Sequence, residues 1–377
     1  MATRSPVTPH GRRTSVDVLR GLTLAAMLVV NDPGSWQHIY APLRHAAWHG
    51  CTPTDLVFPT FLFLVGVSVP LALGSRIEAA GGARRAVLPK IMRRTAVLLL
   101  LGLLLNGFPG YDLTTLRYPG VLQRIALGYA GASLLFLFAR PRTQDLVLVL
   151  LLVLYWPLLA LGPVPGHGPP DLGSQEHTLV AWVDRALFGA HLYRPGLYDP
   201  EGLLSTLPAL GTALLGVRAG RCLREGDGAA RRLLLEGLLL MALGWSWGQV
   251  FPVNKALWTS SFTVLTGGVA ATLLGLCVAL FDGRELSGWR RVLAHPFEVL
   301  GHNAILAYVG SGLLARVTGS LWRLEDGRSA RQAAYELLRD GLSLLPEQAS
   351  LLHALLWLVA GYLLLLPLHL RGLLLRV

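Results

Sequence analysis

Long, mostly apolar stretches recur from near the first residue of this chain to near its last, and no other feature constrains the fold as much. A hydrocarbon core roughly 30 Å thick takes about 20 apolar helical residues to cross. Inside it every backbone polar group must be satisfied within its own segment. The stretches cover residues 16–30, 56–73, 95–108, 120–138, 146–161, 203–220, 233–247, 258–281, 297–317 and 351–370. They predict an all-α, polytopic transmembrane helix bundle of about ten helices, with eleven as the alternative count. Stretches 95–108 and 146–161 are short for a crossing, so their helices are expected to extend into the polar flanks. Composition agrees: 53% of the 377 residues are hydrophobic and 15% charged, too little charge to coat a soluble enzyme of this length. The chain reads as one transmembrane domain, 1–377, with a polar arm at 1–15, an outer loop at 31–54 and a long outer loop at 162–202.

A formal charge of +11 raises the possibility of nucleic-acid binding, but the basic residues lie between apolar spans rather than on one face of a soluble fold. Topology explains them better, and no nucleic acid is expected. Placing the N-terminus inside gathers Arg12, Arg13, Arg20, the basic residues of 76–94, Arg140, Arg142, the cluster at 218–232, the run 284–291, Arg371 and Arg376 on one side. This is what the positive-inside rule expects of a cytoplasmic face. Both termini are therefore expected in the cytoplasm, in an inner membrane. The first apolar run carries Asp17 and Arg20 at its start and has no small-residue cleavage site behind it, so it reads as a retained helix. Cys51, Cys222 and Cys277 are too few and too scattered for a disulfide framework.

Chemistry concentrates in the loop 31–54, NDPGSWQHIYAPLRHAAWHGCTPT, which sets three histidines and two tryptophans between membrane helices. Such groups can line a cavity at the membrane boundary; Trp36, Tyr40 and Trp48 would equally suit an interfacial aromatic belt. His45 and His49 lie four apart with Cys51 close by, a ligand-like spacing on a helix, but no further acid or histidine arrives at metal spacing and no metal is expected.

The blocks Ser15-Val-Asp17-Val-Leu-Arg20-Gly-Leu-Thr, Val-Asn31-Asp-Pro-Gly-Ser-Trp36, Leu-Arg-His45-Ala-Ala-Trp48-His-Gly50 and Thr-Asp55-Leu-Val-Phe-Pro59 together resemble the heparan-α-glucosaminide N-acetyltransferase family and its bacterial relatives. Further pieces resemble the bacterial branch: Gly120-Val-Leu-Gln123-Arg124-Ile-Ala, Asp199-Pro-Glu201-Gly, Pro252-Val-Asn254-Lys255 through Trp258-Thr-Ser-Ser261, and Pro296-Phe-Glu298 through Asn303. The resemblance implies a transmembrane acyltransferase that takes acetyl-CoA from the cytosol and passes acetyl to an amino sugar or glycan on the far side. The family's functional histidine falls on His45 and the asparagine closing its first helix on Asn31. His49 stands where the lysosomal enzyme has asparagine, and Asp32-Pro33 where it has a more glycine-rich turn; the departures bear on the acceptor. The large luminal N-terminal domain of the lysosomal enzyme has no counterpart in this sequence, so a different acceptor selection is expected. The resemblance allows a homodimer.

Acetyl transfer needs a base for the acceptor's proton, a donor for the developing oxyanion and exclusion of water. Imidazole titrates near neutrality, which suits His45 to the first task; the alternative is an interfacial histidine bonded to a loop carbonyl. The amide of Asn31 can serve the second, and Asp55 can orient the imidazole. Ionisable groups within spans are functional suspects by default. Among them Arg124, with Gln123 beside it, is a candidate for holding a CoA phosphate, while Asp17 and Arg20 can simply pair. Arg93 and Arg94, in the basic patch with Arg84, Arg85 and Lys90, are the other CoA candidates, against the plain alternative of positive-inside retention. Trp36, Trp48, Asn254, Lys255, Ser261 and Asn303 are the acceptor candidates, although Asn303 can equally bond across the bundle. The competing class is a transporter of a small solute, in which the same polar residues form a path; the sequence shows no repeat or paired broken helices to support it.

Overall fold

The computed structural model describes residues 13–226, 228–282 and 288–374. Arg12, Arg284, Arg376 and most of the arm 1–15 lie outside the described residues. Thirteen α-helices occur among those described: α1 Thr14–Asn31, α2 Val57–Ala79, α3 Leu88–Gly107, α4 Val121–Phe138, α5 Pro141–Leu161, α6 Leu179–Phe188, α7 Thr206–Glu225, α8 Ala229–Trp247, α9 Ser260–Phe281, α10 Trp289–His302, α11 Ala304–Arg316, α12 Ala330–Gly341 and α13 Pro346–Leu370. The β-pairing present consists of isolated bridges in loops. Among the described residues seven segments are long and apolar enough to cross a membrane: Thr14–Asn31, Pro53–Ala79, Val121–Phe138, Pro141–Leu161, Ser260–Phe281, Ala304–Leu321 and Pro346–Leu370. Helices α3, α7 and α8 are 20, 20 and 19 residues long but carry charges at their arginine-rich ends. The short stretches 95–108 and 146–161 do extend, as helices starting at Leu88 and Pro141.

Packing follows the small residues. A Cβ on Gly66 of α2 would lie 1.9 Å from the Ala213 carbonyl oxygen, and one on Gly216 of α7 would lie 2.0 Å from that of Phe63, so α2 and α7 touch backbone to backbone. Gly237, Gly244 and Gly268 bring α8 equally close to α9. Close approach through glycine is how helices gain contact where lipid offers no hydrophobic drive.

The expected span 297–317 is divided. Helix α10 ends at His302, Asn303 leaves helical geometry (φ −122, ψ 40), and α11 begins at Ala304. The cause is tertiary. Gly301 packs so closely on α1 that a Cβ would lie 2.2 Å from the Asp17 carbonyl oxygen, while the Asn303 amide donates to the Leu373 carbonyl (3.2 Å). Helix α12 follows the Ser329 cap, with Leu337 exposed on it and Leu345 exposed beyond its end.

Candidate active site

Thr52-Pro-Thr-Asp55 opens the second span with a Thr-x-x-acid pattern, which caps a helix when the acid turns back to the N-cap backbone. It does so here. Pro53 occupies the first position, and Asp55 Oδ2 accepts from the Thr52 N–H (3.1 Å) and Thr52 Oγ1 (3.0 Å). The same carboxylate faces the preceding loop: Oδ2 accepts the Ala46 N–H (3.0 Å), and Oδ1 lies 2.6 Å from His45 Nδ1. An ionised carboxylate only accepts. Nδ1 therefore carries a proton, and in the neutral ring Nε2 carries the lone pair; the His45 side chain is 53% exposed, whereas that of Asp55 is 1% exposed.

A second wall comes from the connection between α8 and α9. Asn254 organises it: its Oδ1 accepts the Leu257 N–H (2.8 Å) and its N–H donates to Thr259 Oγ1 (3.0 Å). Gly50 N–H donates to the Val253 carbonyl (2.7 Å), docking the loop 31–54 on this wall. Asn254 Nδ2 then lies 3.3 Å from His49 Nδ1, and Lys255 Nζ lies 3.3 Å from Asp55 Oδ1. Burial pulls the Lys255 ammonium below its usual range and Asp55 opposes that. Trp48 Nε1 donates to the Leu172 carbonyl (2.8 Å) and its ring meets Tyr198 edge to face at 5.5 Å, adding the long loop 162–202 as a third side.

His45, Asp55, Trp48, Asn254 and Lys255 are thus brought together, and the other candidates are placed elsewhere. Ser261 is buried, donating to the Phe251 carbonyl (2.6 Å), and secures the second wall. Asn31 is exposed at the end of α1 without a bond to His45; the next residue, Asp32, turns inward instead and accepts from Ser311 Oγ (2.9 Å). Burial pushes the Asp32 carboxyl up to about 6. Trp36 is 61% exposed, with the Arg331 guanidinium 5.7 Å from its ring centre. Asn303 lies near Asp17, at the opposite end of α1 from His45. Arg124 is 1% exposed, donates to Ser205 Oγ (2.5 Å) and the Gly202 carbonyl (3.1 Å), and stacks on Trp258 at 4.9 Å. Gln123 is buried against Gly102. Arg93 is exposed near the start of α3, and Arg94 turns inward over Tyr129 at 4.5 Å. Arg93 and Arg94 therefore sit at the arginine-rich end, apart from Arg124.

Residues 12–245 match the model of a family described as heparan-alpha-glucosaminide N-acetyltransferase, catalytic. The chain belongs to that family. Human heparan-alpha-glucosaminide N-acetyltransferase is 31% identical over 379 residues, covering 85% of this chain and 56% of the human protein. The mouse heparan-alpha-glucosaminide N-acetyltransferase is 30% identical over 389 residues, covering 86% and 58%. The chain thus spans somewhat over half the length of these relatives.

The stretch matched to the heparan-alpha-glucosaminide N-acetyltransferase family holds His45 and Asp55, while the wall carrying Asn254 and Lys255 follows it. Arg117, which sequence reasoning passed over, pairs with Asp199 through Nε (2.8 Å) and Nη2 (2.5 Å) and also bonds Glu201, pinning the long loop to the bundle. Its signal was an arginine in the short loop between α3 and α4, on the side where the expected topology and the positive-inside rule call for few. Asp184 braces the same loop by accepting the N–H groups of Asp199 and Leu203 (3.2 Å each). Among the described residues no cluster of three or more His, Cys, Asp or Glu is arranged to hold a metal.

Proposed function

We propose that this chain is a membrane acetyltransferase that passes the acetyl group of acetyl-CoA to the amine of an amino sugar on the extracytoplasmic side. The observation that carries the reading is the His45–Asp55 pair at 2.6 Å with Nε2 uncommitted on a half-exposed ring. In this reading His45 Nε2 accepts the proton lost by the acceptor nitrogen as that nitrogen bonds the acetyl carbon. As the carbon–sulfur bond breaks, His45 returns the proton to the departing sulfur, so the imidazole ends as it began. Asp55 holds the productive tautomer and stabilises the transient imidazolium.

The family resemblance supports acetyl-CoA as donor, and the relatives' name supports a glucosamine acceptor. Ten crossings, with both termini and the arginine-rich helix ends in the cytoplasm of an inner membrane, complete the reading. Arg93, with Arg84 and Arg85 beside it, then meets the CoA phosphates. Trp48 and Asn254 meet the acceptor. Purified protein in detergent, given radiolabelled acetyl-CoA and a panel of amino sugars, is expected to transfer label to glucosamine. His45→Ala is expected to lower the rate roughly a hundredfold or more. No transfer by folded wild-type protein to any acceptor, or equal transfer by His45→Ala, would overturn the reading.

A further inference from the structure

Lys255 reaches the dyad from a segment 210 residues away, with Nζ 3.1 Å from His45 Nδ1 and 3.3 Å from Asp55 Oδ1. Its side chain is 22% exposed, and its backbone is held in place by the Asn254–Leu257 and Asn254–Thr259 bonds. An ammonium only donates, and the Nδ1 proton is already directed at Asp55, so Lys255 must bond the same carboxylate oxygen. The imidazolium that forms when His45 accepts a proton therefore meets an ammonium at hydrogen-bond distance. A neighbouring carboxylate strengthens a histidine's hold on its proton and a neighbouring cation weakens it.

We propose that Lys255 is a positioning and charge-setting residue of the dyad: its ammonium shares Asp55 with His45, fixes the carboxylate, and keeps the imidazole free to take the acceptor's proton. The proposal rests on the reading of His45 as base, but its electrostatic part can be measured without transfer. The groups around His45 come from three segments. Its own loop supplies Arg44, turned away to the Ile39 carbonyl (2.7 Å), His49, bonded to Asn254, and Cys51, whose thiol burial pushes up to about 12, so that it stays neutral. The start of the second span supplies Asp55, and the wall supplies Lys255, whose charge is further favoured by Glu201 from the long loop.

The test uses the full chain in detergent with Lys255→Met, Lys255→Arg and, should the first not elute as a monodisperse species, Lys255→Gln. Diethyl pyrocarbonate acylates neutral imidazole, and the extent of modification at His45 against pH is read by peptide mass spectrometry. In Lys255→Met the midpoint is expected roughly one pH unit above wild type, with Lys255→Arg close to wild type. The acid limb of the transfer rate is expected to move the same way while the acceptor KM stays unchanged. An unmoved midpoint in Lys255→Met would overturn the proposal. So would an unmoved acid limb with a raised acceptor KM, which would make Lys255 an acceptor contact. A shifted midpoint in a protein that transfers no acetyl group would uphold the charge coupling and sink the acetyltransferase reading instead.

Discussion

At Asp55 one carboxylate collects donors from the first outer loop, the helix start and the distant Lys255. Asp55→Asn replaces one acceptor oxygen by a donor among donors, so the imidazole loses its fixed tautomer and the helix its cap. The expected result is a fall in kcat of roughly 10²- to 10⁴-fold with little change in the KM for acetyl-CoA, measured by steady-state kinetics. A second residue titrates in a useful range. Burial raises the Asp184 carboxyl from 3.8 to about 7, so between those values the folded protein holds a proton that the unfolded chain releases. Its contribution to stability therefore falls as pH rises through that window. The thermal midpoint of wild type is expected to fall relative to that of Asp184→Asn as pH goes from 5 to 8, followed by fluorescence in detergent. The pairing of His45 with Asp55 was legible because the two lie ten residues apart in one loop-to-helix stretch. The approach of Lys255 was not, since it depends on the docking of Gly50 onto Val253, a contact that no local pattern encodes.

Among the elements, apolar length located the long helices but not the short α6 and α12, and the polar extensions of α3 and α5 followed from the thickness to be crossed. The division at Asn303 was hidden because no proline or glycine occupies the break; it arises where Gly301 meets α1 and Asn303 meets Leu373. Contact between α2 and α7 depends on glycine in the same tertiary way. Gly66→Leu drives a side chain into the Ala213 carbonyl and is expected to cost about 1–3 kcal/mol or more. Gly310→Ala in α11, where a Cβ meets nothing within 4 Å, is expected to be neutral or to stabilise by about 0.5–1 kcal/mol. Thermal unfolding of the two variants in the same detergent compares them directly. Equal losses would show that the packing does not distinguish the positions.

Across the whole molecule the arginine-rich helix ends and the His45 site lie at opposite ends of the bundle. The proposed transfer across a membrane requires such a separation. The positive charge pattern made the asymmetry legible early, while the loop platform beside His45 was not, because it is assembled from loops pinned by Arg117, Asp199 and Asp184. The most direct measurement reconstitutes the protein in sealed vesicles with radiolabelled acetyl-CoA at the arginine-rich face and glucosamine at the other. Labelled N-acetylglucosamine is expected on the glucosamine side with wild type and not with His45→Gln. Product formed only when both substrates share one compartment, or formed equally by His45→Gln, would contradict transfer across the membrane through this dyad.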